Sequence, residues 1–376
     1  MKYYIIAGEA SGDLHGSSLM KALQNADPSA DFRFWGGDLM MAAGGTLVSH
    51  IKKSSFMGFW EVFLNIRSVL AAISLCKRDI IRYKPDALIL VDYPGFNLRI
   101  AKFAGKLGTR VFYYISPKVW AWNQSRVKTI KKYVDHMLTI FPFETAFYEK
   151  FDYKVDYVGN PLIDAIENRP RKDEEFDQFA ARNGLSGKPV IAILAGSRIH
   201  EIDNCLPVML SVTQYYPEYQ FVIAGAPAID HGVYLKYTGN RFPVIFGETY
   251  SILSHASAAM VVSGTATLEA ALLGVPIIVC YKGSFISYQI ARRIINVEYI
   301  SLVNLIMERE VVRELIQHEF NSSNLKYELD RLLFDKKYRD KMVHDIGKLR
   351  QIMGKGGASR RAAGLITGYL KKNNDR

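Results

Sequence analysis

One aspartate stands where an apolar run ends, in the segment Val91-Asp92-Tyr93-Pro94-Gly95. A carboxylate at the end of a buried strand, ahead of a Pro-Gly turn, can point into a cleft and accept a proton as a general base. An aspartate in this position can equally cap a helix or stabilise the turn. Asp92 is therefore a candidate catalytic base, with a structural role as the alternative.

An arginine follows the apolar run 190–194, in the segment Gly196-Ser197-Arg198. The Gly-Ser turn leads into a helix, whose first N–H groups lack partners within the helix and attract anions. The planar guanidinium of Arg198 can bind a phosphate or diphosphate through paired hydrogen bonds. The alternative is a local role, in which Arg198 caps the backbone or pairs with Glu201.

The same strand–turn–helix pattern recurs at residues 263–270. Gly264, Thr265 and Thr267 would offer backbone N–H groups and hydroxyls to a diphosphate. Glu269 falls in the first turn of an apolar helix, where it could hold a ribose diol. A purely structural Glu269 would stabilise the helix dipole by only ~0.3–1 kcal/mol. Because its apolar neighbours would tend to bury it, the ligand role is favoured.

The chain opens with a strand pattern at residues 3–7, which runs into Gly8, Gly12 and Gly16. This spacing predicts a tight turn and a helix that begins near Asp13, a common ligand site at the carboxyl end of a strand. It does not match G-x-G-x-x-G, and the next strand ends in two glycines rather than an acidic ribose ligand. An NAD(P)-dependent oxidoreductase is therefore disfavoured.

Two tryptophans, Trp120 and Trp122, follow another strand and a proline. They could stack on a sugar ring or line a cleft. Packing beneath a loop is the commoner role of such residues and remains the alternative.

The segment 56–67 combines apolar residues at helical spacing with basic neighbours such as Lys52 and Lys53. It could lie on a membrane surface or receive acyl chains, or it could form an amphipathic core helix. The candidate membrane-facing residues are Phe56, Met57, Phe59, Trp60, Phe63 and Leu64.

The strands and helices that would position these candidate residues can also be predicted from the sequence. Apolar runs typical of strands alternate with helical patterns near residues 3–7, 32–35, 86–91, 110–115, 136–140 and 155–158, and again near 189–194, 220–224, 243–246, 258–262 and 276–279. Runs that are apolar at consecutive positions are covered on both faces, as in a parallel sheet. The pattern predicts two Rossmann-like, doubly wound α/β domains facing across a cleft, followed from about residue 307 by a helical, charged tail.

Composition limits the partners. A chain of 376 residues can bury two cores, and a formal net charge of +11 favours nucleic acid, anionic lipid or phosphorylated substrates, unless the basic surface is simply solvated. The widely spaced Cys76, Cys205 and Cys280 predict a reducing cytosol and no metal site. The apolar stretch 258–281 contains Glu269 and a proline, so it fits a membrane span poorly, and no signal peptide is expected.

Taken together, the segments resemble one family, the lipid-A-disaccharide synthases, which are glycosyltransferases of the GT-B fold. Each stretch is weak alone, but together they are specific and run over most of the chain in the family's order. The matching stretches are GEASGD (8–13), FMGFWEV (56–62), VDYPGFN (91–97), SPKVWAW (116–122), FPFE (141–144), VGNPLID (158–164), GSR (196–198), SGTATLE (263–269) and YISLVNL (299–305).

The resemblance implies a reaction in lipid A biosynthesis of a Gram-negative bacterium. A UDP-2,3-diacylglucosamine donor is joined to 2,3-diacylglucosamine 1-phosphate, giving a β-1,6-linked disaccharide 1-phosphate and UDP. It further implies no metal or other cofactor, no nucleic-acid partner, and peripheral attachment to the cytoplasmic face of the inner membrane. Residues 1–160 would bind the acceptor and the membrane, residues 161–355 would bind the UDP-sugar, and a C-terminal helix at 356–376 would cross back or exchange between the subunits of a homodimer.

The resemblance also distributes roles among the candidate residues. An α-linked donor that gives a β product is inverted, so Asp92 would deprotonate the acceptor hydroxyl, with His15 or Glu201 as alternatives. Without a metal, Arg198 and helix N-termini would stabilise the leaving UDP. The acceptor side would be lined by Ser11, Gly12, Asp13, Trp120 and Trp122, and the UDP side by Gly196, Ser197, Arg198, Gly264, Thr265, Thr267, Glu269 and Asn304.

Other interpretations share part of this pattern. A UDP-N-acetylglucosamine 2-epimerase or a polyprenyl-acceptor transferase would account for the UDP half, but neither explains the linked GEASGD and SPKVWAW stretches. A non-catalytic protein of the membrane surface would account only for the basic, aromatic segment.

Overall fold

The computed structural model describes residues 1–53, 66–283 and 298–374. The chain divides into two compact units. Unit 1 comprises Met1–Pro161 together with Lys355–Arg376, and unit 2 comprises Leu162–Gly354. Each unit is a parallel sheet with helices, so the prediction of two Rossmann-like α/β domains is confirmed.

The sheet of unit 1 has seven parallel strands in the order β3-β2-β1-β4-β5-β6-β7. The order reverses between β1 and β4, which is the topological switch point of a doubly wound sheet. The strands are β1 (Lys2–Ala7), β2 (Asp31–Gly36), β3 (Thr46–His50), β4 (Ala87–Val91), β5 (Arg110–Tyr114), β6 (His136–Thr139) and β7 (Asp156–Tyr157).

Helices cover both faces of this sheet. Tyr4 and Ile6 of β1 share a core with the helices Ile66–Tyr83, Pro94–Lys106 and Arg126–Tyr133. The helix Ala10–Ala26 instead packs against the last helix of the chain. Because successive side chains of a strand alternate in direction, burial of all of β1 from Tyr3 onward requires this double cover. The other helices in the described part of unit 1 are Asp38–Ala43, Val119–Trp122, Pro142–Glu149 and Ala358–Asn374, with a 3₁₀ turn at Ile51–Lys53.

The sheet of unit 2 has six parallel strands in the order β10-β9-β8-β11-β12-β13, and its order reverses between β8 and β11. The strands are β8 (Val190–Leu194), β9 (Gln220–Gly225), β10 (Val244–Phe246), β11 (Ala256–Val262), β12 (Ile277–Tyr281) and β13 (Arg313–Ile316). Within residues 162–283 and 298–354 the helices are Phe176–Arg182, Ile199–Ser211, His231–Thr238, Thr249–Ser254, Thr265–Leu272, Leu302–Met307, Ser322–Phe334 and Lys336–Met353, with Pro161–Glu167 at the boundary and a 3₁₀ turn at Thr213–Tyr215.

Three features differ from the sequence prediction. The edge strands β3 and β13 were not predicted, and β13 interrupts the tail expected to be helical from about residue 307. The sequence of β13 contains the charged residues Arg313 and Glu314, so it does not match the apolar strand pattern. Glu314 is nevertheless buried, because its carboxylate accepts hydrogen bonds from the N–H groups of Ile300 and Ser301, both at 2.9 Å. The first helix begins at Ala10 rather than near Asp13.

The last helix, Ala358–Asn374, returns to unit 1. The ring of Tyr369 stacks on His136 with 3.6 Å between centroids, and its hydroxyl donates to Asp156 at 3.0 Å. Arg361 donates to the carbonyl of Val158 at 2.8 Å. Among the described residues, no helix combines the length and apolar character that crossing a bilayer requires.

Gly159 is expected to be required for this docking. Its φ is +83°, and a Cβ there would overlap the guanidinium of Arg361. Gly159→Ala should lower the thermal midpoint and speed hydrogen exchange in the helix Ala358–Asn374, since the left-handed backbone alone costs an alanine roughly 1–2 kcal/mol. Gly108→Ala is the matched control, because Gly108 has a φ of +76° and an added Cβ there would meet nothing within 4 Å. Equal exchange in the two variants would contradict a role for Arg361.

Candidate active site

The switch point of unit 1 brings two distant segments together. Ala7 pairs with Val91, so Gly8 and Asp92 leave the sheet side by side. The ring of Tyr93 lies directly on Gly8, where a Cβ would overlap it. The GEASGD and VDYPGFN stretches are therefore one structural unit, and a ligand crevice is expected at this edge.

The environment of Asp92 fits the candidate role of a general base. Burial raises its pKa to about 6, with Lys118 lowering the pKa and Glu9 raising it. The residue as a whole is partly exposed, although burial of its carboxyl is the main cause of the raised pKa. A carboxylate with this pKa is ionised at neutral pH and is a stronger base than an ordinary aspartate.

The two alternative bases are less suited. Burial lowers the pKa of His15 to about 4, which makes its imidazole a weak proton acceptor. The carboxylate of Glu201, in unit 2, already accepts three hydrogen bonds from Ser197 and Arg198. Neither group offers a basic atom as available as that of Asp92.

The predicted acceptor residues fall in the first turn of the helix Ala10–Ala26. Ser11 is exposed, whereas Gly12 is buried against Ala7. Asp13 is buried, and its carboxylate accepts hydrogen bonds from the N–H groups of Gly37 (2.7 Å), Leu39 (3.1 Å) and Met40 (3.1 Å). The contacts of Asp13 therefore fix the helix Asp38–Ala43 instead of facing a ligand.

The tryptophan segment forms the short helix Val119–Trp122. Trp120 is only 8% exposed and packs edge-on against Phe143, with 5.0 Å between ring centroids. The packing alternative thus fits Trp120 better than stacking on a sugar. The side chain of Trp122 lies outside the described part of the structure, as do residues 56–64 with all six candidate membrane-facing side chains.

A buried carboxyl was missed by the sequence analysis. Glu144, in the FPFE stretch, accepts hydrogen bonds from the N–H groups of Ile140 (3.1 Å) and Phe141 (3.0 Å). Burial raises its pKa to about 7. The proline after Phe141, followed by a glutamate at the third helical position, is the sequence signal of a helix start that could have revealed this role.

Unit 2 repeats the arrangement at its own switch point. Leu194 of β8 pairs with Val261 of β11, so the turns that follow these two strands leave the sheet as neighbours. These are the Gly196-Ser197-Arg198 turn and the turn that starts at Ser263. The structure thus brings together the two segments predicted to bind a diphosphate.

Arg198 is 70% exposed and forms an ion pair with Glu201 at 3.0 Å. The same carboxylate accepts hydrogen bonds from the N–H groups of Ser197 (2.8 Å) and Arg198 (3.2 Å). Gly196, at a φ of +113°, lets it fold over the turn, since a Cβ there would lie 2.6 Å from that of Glu201. Glu201 therefore occupies the donors that an anionic ligand would use.

In the turn that starts at Ser263, some of the residues predicted to bind UDP are exposed and others are buried. Gly264 and Thr265 are exposed at the start of the helix Thr265–Leu272. Thr267 is fully buried, and its hydroxyl donates to the carbonyl of Gly264 at 2.8 Å. Thr267 thus shapes the turn, while the two preceding residues present their backbone.

Glu269 is held by a residue that the sequence analysis missed. The hydroxyl of Tyr250 donates to one carboxylate oxygen at 2.8 Å, and burial raises the pKa of Glu269. Tyr250 lies nineteen residues earlier, on the helix Thr249–Ser254, and nothing in the local sequence connects the two.

Asn304 does not face a ligand. It is fully buried, its amide nitrogen donates to Val312 (2.8 Å) and Glu314 (2.9 Å), and its oxygen accepts the N–H groups of Val311 (2.7 Å) and Val312 (3.0 Å). Every polar atom of the amide is thus used to fix the loop before β13, which leaves none for uracil or phosphate.

Comparison with solved structures supports the fold. The chain is similar to UDP-GlcNAc 2-epimerase from Neisseria meningitidis bound to UDP-GlcNAc, with a TM-score of 0.70 and 14% identity over 99% of this chain and 100% of the other. It is similar also to the glycotransferase of kitacinnamycin, with a TM-score of 0.65 and 13% identity over 98% and 99% of the two chains.

Comparison of sequences is more specific. The chain is 38% identical to the lipid-A-disaccharide synthase of Trichlorobacter lovleyi, over 98% of this chain and 97% of that protein. It is 34% identical to that of Coxiella burnetii, over 96% of both. The family model described as lipid-A-disaccharide synthetase matches residues 3–364. The resemblance inferred from the motifs is confirmed, and the chain belongs to the lipid-A-disaccharide synthase family.

Proposed function

We propose that the chain is an inverting glycosyltransferase that joins UDP-2,3-diacylglucosamine to 2,3-diacylglucosamine 1-phosphate. The family match supports formation of the lipid A disaccharide by a hexosyltransferase. The observation that carries the mechanism is the position of Asp92 at the β1/β4 switch point, where burial raises the pKa of its carboxyl to about 6.

In the proposed reaction, the 6-hydroxyl of the acceptor attacks the anomeric carbon of the donor from the face opposite the diphosphate. The Asp92 carboxylate accepts the hydroxyl proton as the new carbon–oxygen bond forms. The bond between the anomeric carbon and the β-phosphate oxygen breaks, and its electron pair leaves with UDP. In-line displacement accounts for the change from an α-linked donor to a β product.

The negative charge that develops on the leaving UDP requires fixed donors. Arg198 offers its exposed guanidinium, and the turns at Ser197 and Gly264 offer backbone N–H groups at two helix starts. When the diphosphate binds, it takes these donors over from Glu201. The second oxygen of Glu269, next to the one fixed by Tyr250, accepts the ribose hydroxyls.

We also propose that the enzyme meets its acylated substrates at the cytoplasmic face of the inner membrane and works as a homodimer. The net charge of +11 supports attraction to an anionic surface. The apolar sequence from Phe56 to Leu64, with Lys52 and Lys53 beside it, is the proposed point of contact.

The purified chain, incubated with both diacyl substrates, should release UDP and form the disaccharide 1-phosphate in equal amounts. Asp92→Asn should lower kcat by at least ~100-fold, the usual contribution of a general base, while the affinity for UDP stays unchanged. Failure of the wild-type chain to form the disaccharide would contradict the proposed function, and a fully active Asp92→Asn would remove Asp92 as the base.

The pH profile should follow the ionisation of Asp92. Because the base acts as the carboxylate and burial raises its pKa to about 6, kcat/KM should be constant above neutral pH and fall as the pH drops through 6. Initial rates between pH 5 and 8 would show the acid limb. A decline of kcat/KM centred near pH 4, the ordinary pKa of an aspartate, would contradict this prediction.

Arg198→Ala should weaken UDP binding roughly 10- to 100-fold, because hydrogen bonds to a charged group contribute ~1.5–3 kcal/mol. Calorimetric titration with UDP would measure the change. Arg241→Ala is a suitable control, since Arg241 precedes β10 and so lies at the opposite edge of the sheet. Unchanged affinity in Arg198→Ala would exclude the guanidinium from the diphosphate site.

Phe59→Ser/Phe63→Ser should reduce binding to anionic vesicles several-fold in a sedimentation assay, and added salt should weaken binding of the wild type. Tyr215→Ser/Phe334→Ser removes exposed aromatic rings from unit 2 and should bind like the wild type. Unfolding of the first variant would instead support the core-helix interpretation of residues 56–67.

A further inference from the structure

Asp92 and Tyr93 carry an unusual backbone. Their φ values are +42° and +49°, so two successive residues with side chains occupy the left-handed region. This conformation is disfavoured for such residues and persists where surrounding contacts impose it. Something in unit 1 must therefore hold this turn in place.

Two buried side chains hold the carbonyl of Asp92. The hydroxyl of Tyr113 donates to that oxygen at 2.5 Å, and the amide of Asn97 donates to it at 2.7 Å. Both side chains are fully buried. The amide of Asn97 also lies 3.3 Å from the carbonyl of Val91 and 3.5 Å from that of Ile6, so it joins the ends of β1 and β4.

The two donors come from different elements. Tyr113 lies in β5, paired with Leu90 of β4, and Asn97 lies in the first turn of the helix Pro94–Lys106. Burial raises the pKa of Tyr113, so its hydroxyl remains protonated and able to donate throughout the working range of the enzyme. The carbonyl of Asp92 is thus fixed from the neighbouring strand and from the following helix.

We propose that Tyr113 and Asn97 are positioning residues for the transfer reaction. They hold the main chain of Asp92 in the left-handed turn, and this places its carboxylate where it can take the proton of the acceptor hydroxyl. The proposal rests on the proposed role of Asp92 as the base, since neither residue would touch a substrate.

A second buried tyrosine provides a control that distinguishes a positioning role in catalysis from a contribution to folding stability alone. Tyr148 is also fully buried, and its hydroxyl shares a hydrogen bond of 2.7 Å with Ser116. Replacing either tyrosine by phenylalanine removes one buried hydroxyl from the core of the same unit. Of the two, only Tyr113→Phe removes a hydrogen bond from the carbonyl of Asp92, which then keeps only the bond from Asn97.

The test compares Tyr113→Phe with Tyr148→Phe in the full-length protein. Tyr113→Phe should lower kcat by about tenfold or more, because small displacements of a catalytic group are costly, while KM changes less than about twofold. Tyr148→Phe should keep the wild-type kcat per folded molecule. Asn97→Ala, as a second variant, should resemble Tyr113→Phe.

The titration of Asp92 gives a readout independent of turnover. Carboxyl-labelled aspartate, with the signal assigned by its loss in Asp92→Asn, would report the pKa by NMR. Lys118 and Glu9 act electrostatically on this carboxyl and the N–H group of Tyr93 donates to it, and none of these residues is substituted in the variants. Release of the turn should admit water, so Tyr113→Phe should lower the pKa of Asp92 while Tyr148→Phe should not.

The outcomes separate the two proposals. If Asp92→Asn is inactive but the two tyrosine variants match in kcat and in the pKa of Asp92, the positioning role is overturned. If Asp92→Asn keeps full activity, the proposed base fails, whatever the tyrosine variants do. A loss of kcat and a lowered pKa confined to Tyr113→Phe and Asn97→Ala would support both.

Discussion

The reversal of strand order in each sheet is the constraint on which both candidate sites depend. In unit 1 the chain continues from β1 to β2 on one side and from β4 to β5 on the other, and in unit 2 it continues from β8 to β9 and from β11 to β12 in the same manner. Because such crossovers are right-handed, the two connections of each pair lie on opposite faces of the sheet. Between each pair the edge of the sheet is left open, and the backbone groups of two turns face the same space. Asp92 lies at one such edge and Arg198 at the other, although each belongs to a different unit.

Glycines and buried carboxylates fix the turns at the carboxyl ends of the strands. Gly8 admits the ring of Tyr93, and Gly196 admits the side chain of Glu201. Asp13 and Glu144 use their oxygens to satisfy backbone N–H groups at helix starts. An unpaired N–H group in such a place would be costly, so these acids shape the edge without facing a ligand.

The two edges handle charge in opposite ways. At the β1/β4 edge, burial raises the pKa of Asp92, which suits its proposed role as proton acceptor. At the β8/β11 edge, the Glu201 carboxylate satisfies Arg198 and two backbone N–H groups, so the donors are already arranged for an anion. If the diphosphate displaces Glu201 as proposed, it meets donors whose positions are already fixed.

The sequence by itself determined the parallel α/β character, because consecutive apolar residues can be satisfied only by strands covered on both faces. It also determined the family, through stretches whose order and spacing are specific, and it singled out Asp92, Arg198 and Glu269. What it could not supply was contact between distant residues. Strand order makes neighbours of Gly8 and Tyr93, and tertiary packing places Tyr250 on Glu269 and Tyr113 on the carbonyl of Asp92. The same packing buries the amide of Asn304 and the carboxylate of Asp13, to which the family resemblance had given ligand-binding roles. A polar residue beside a turn looks alike whether it serves a substrate or the backbone, and only the fold decides which donors and acceptors lie within reach.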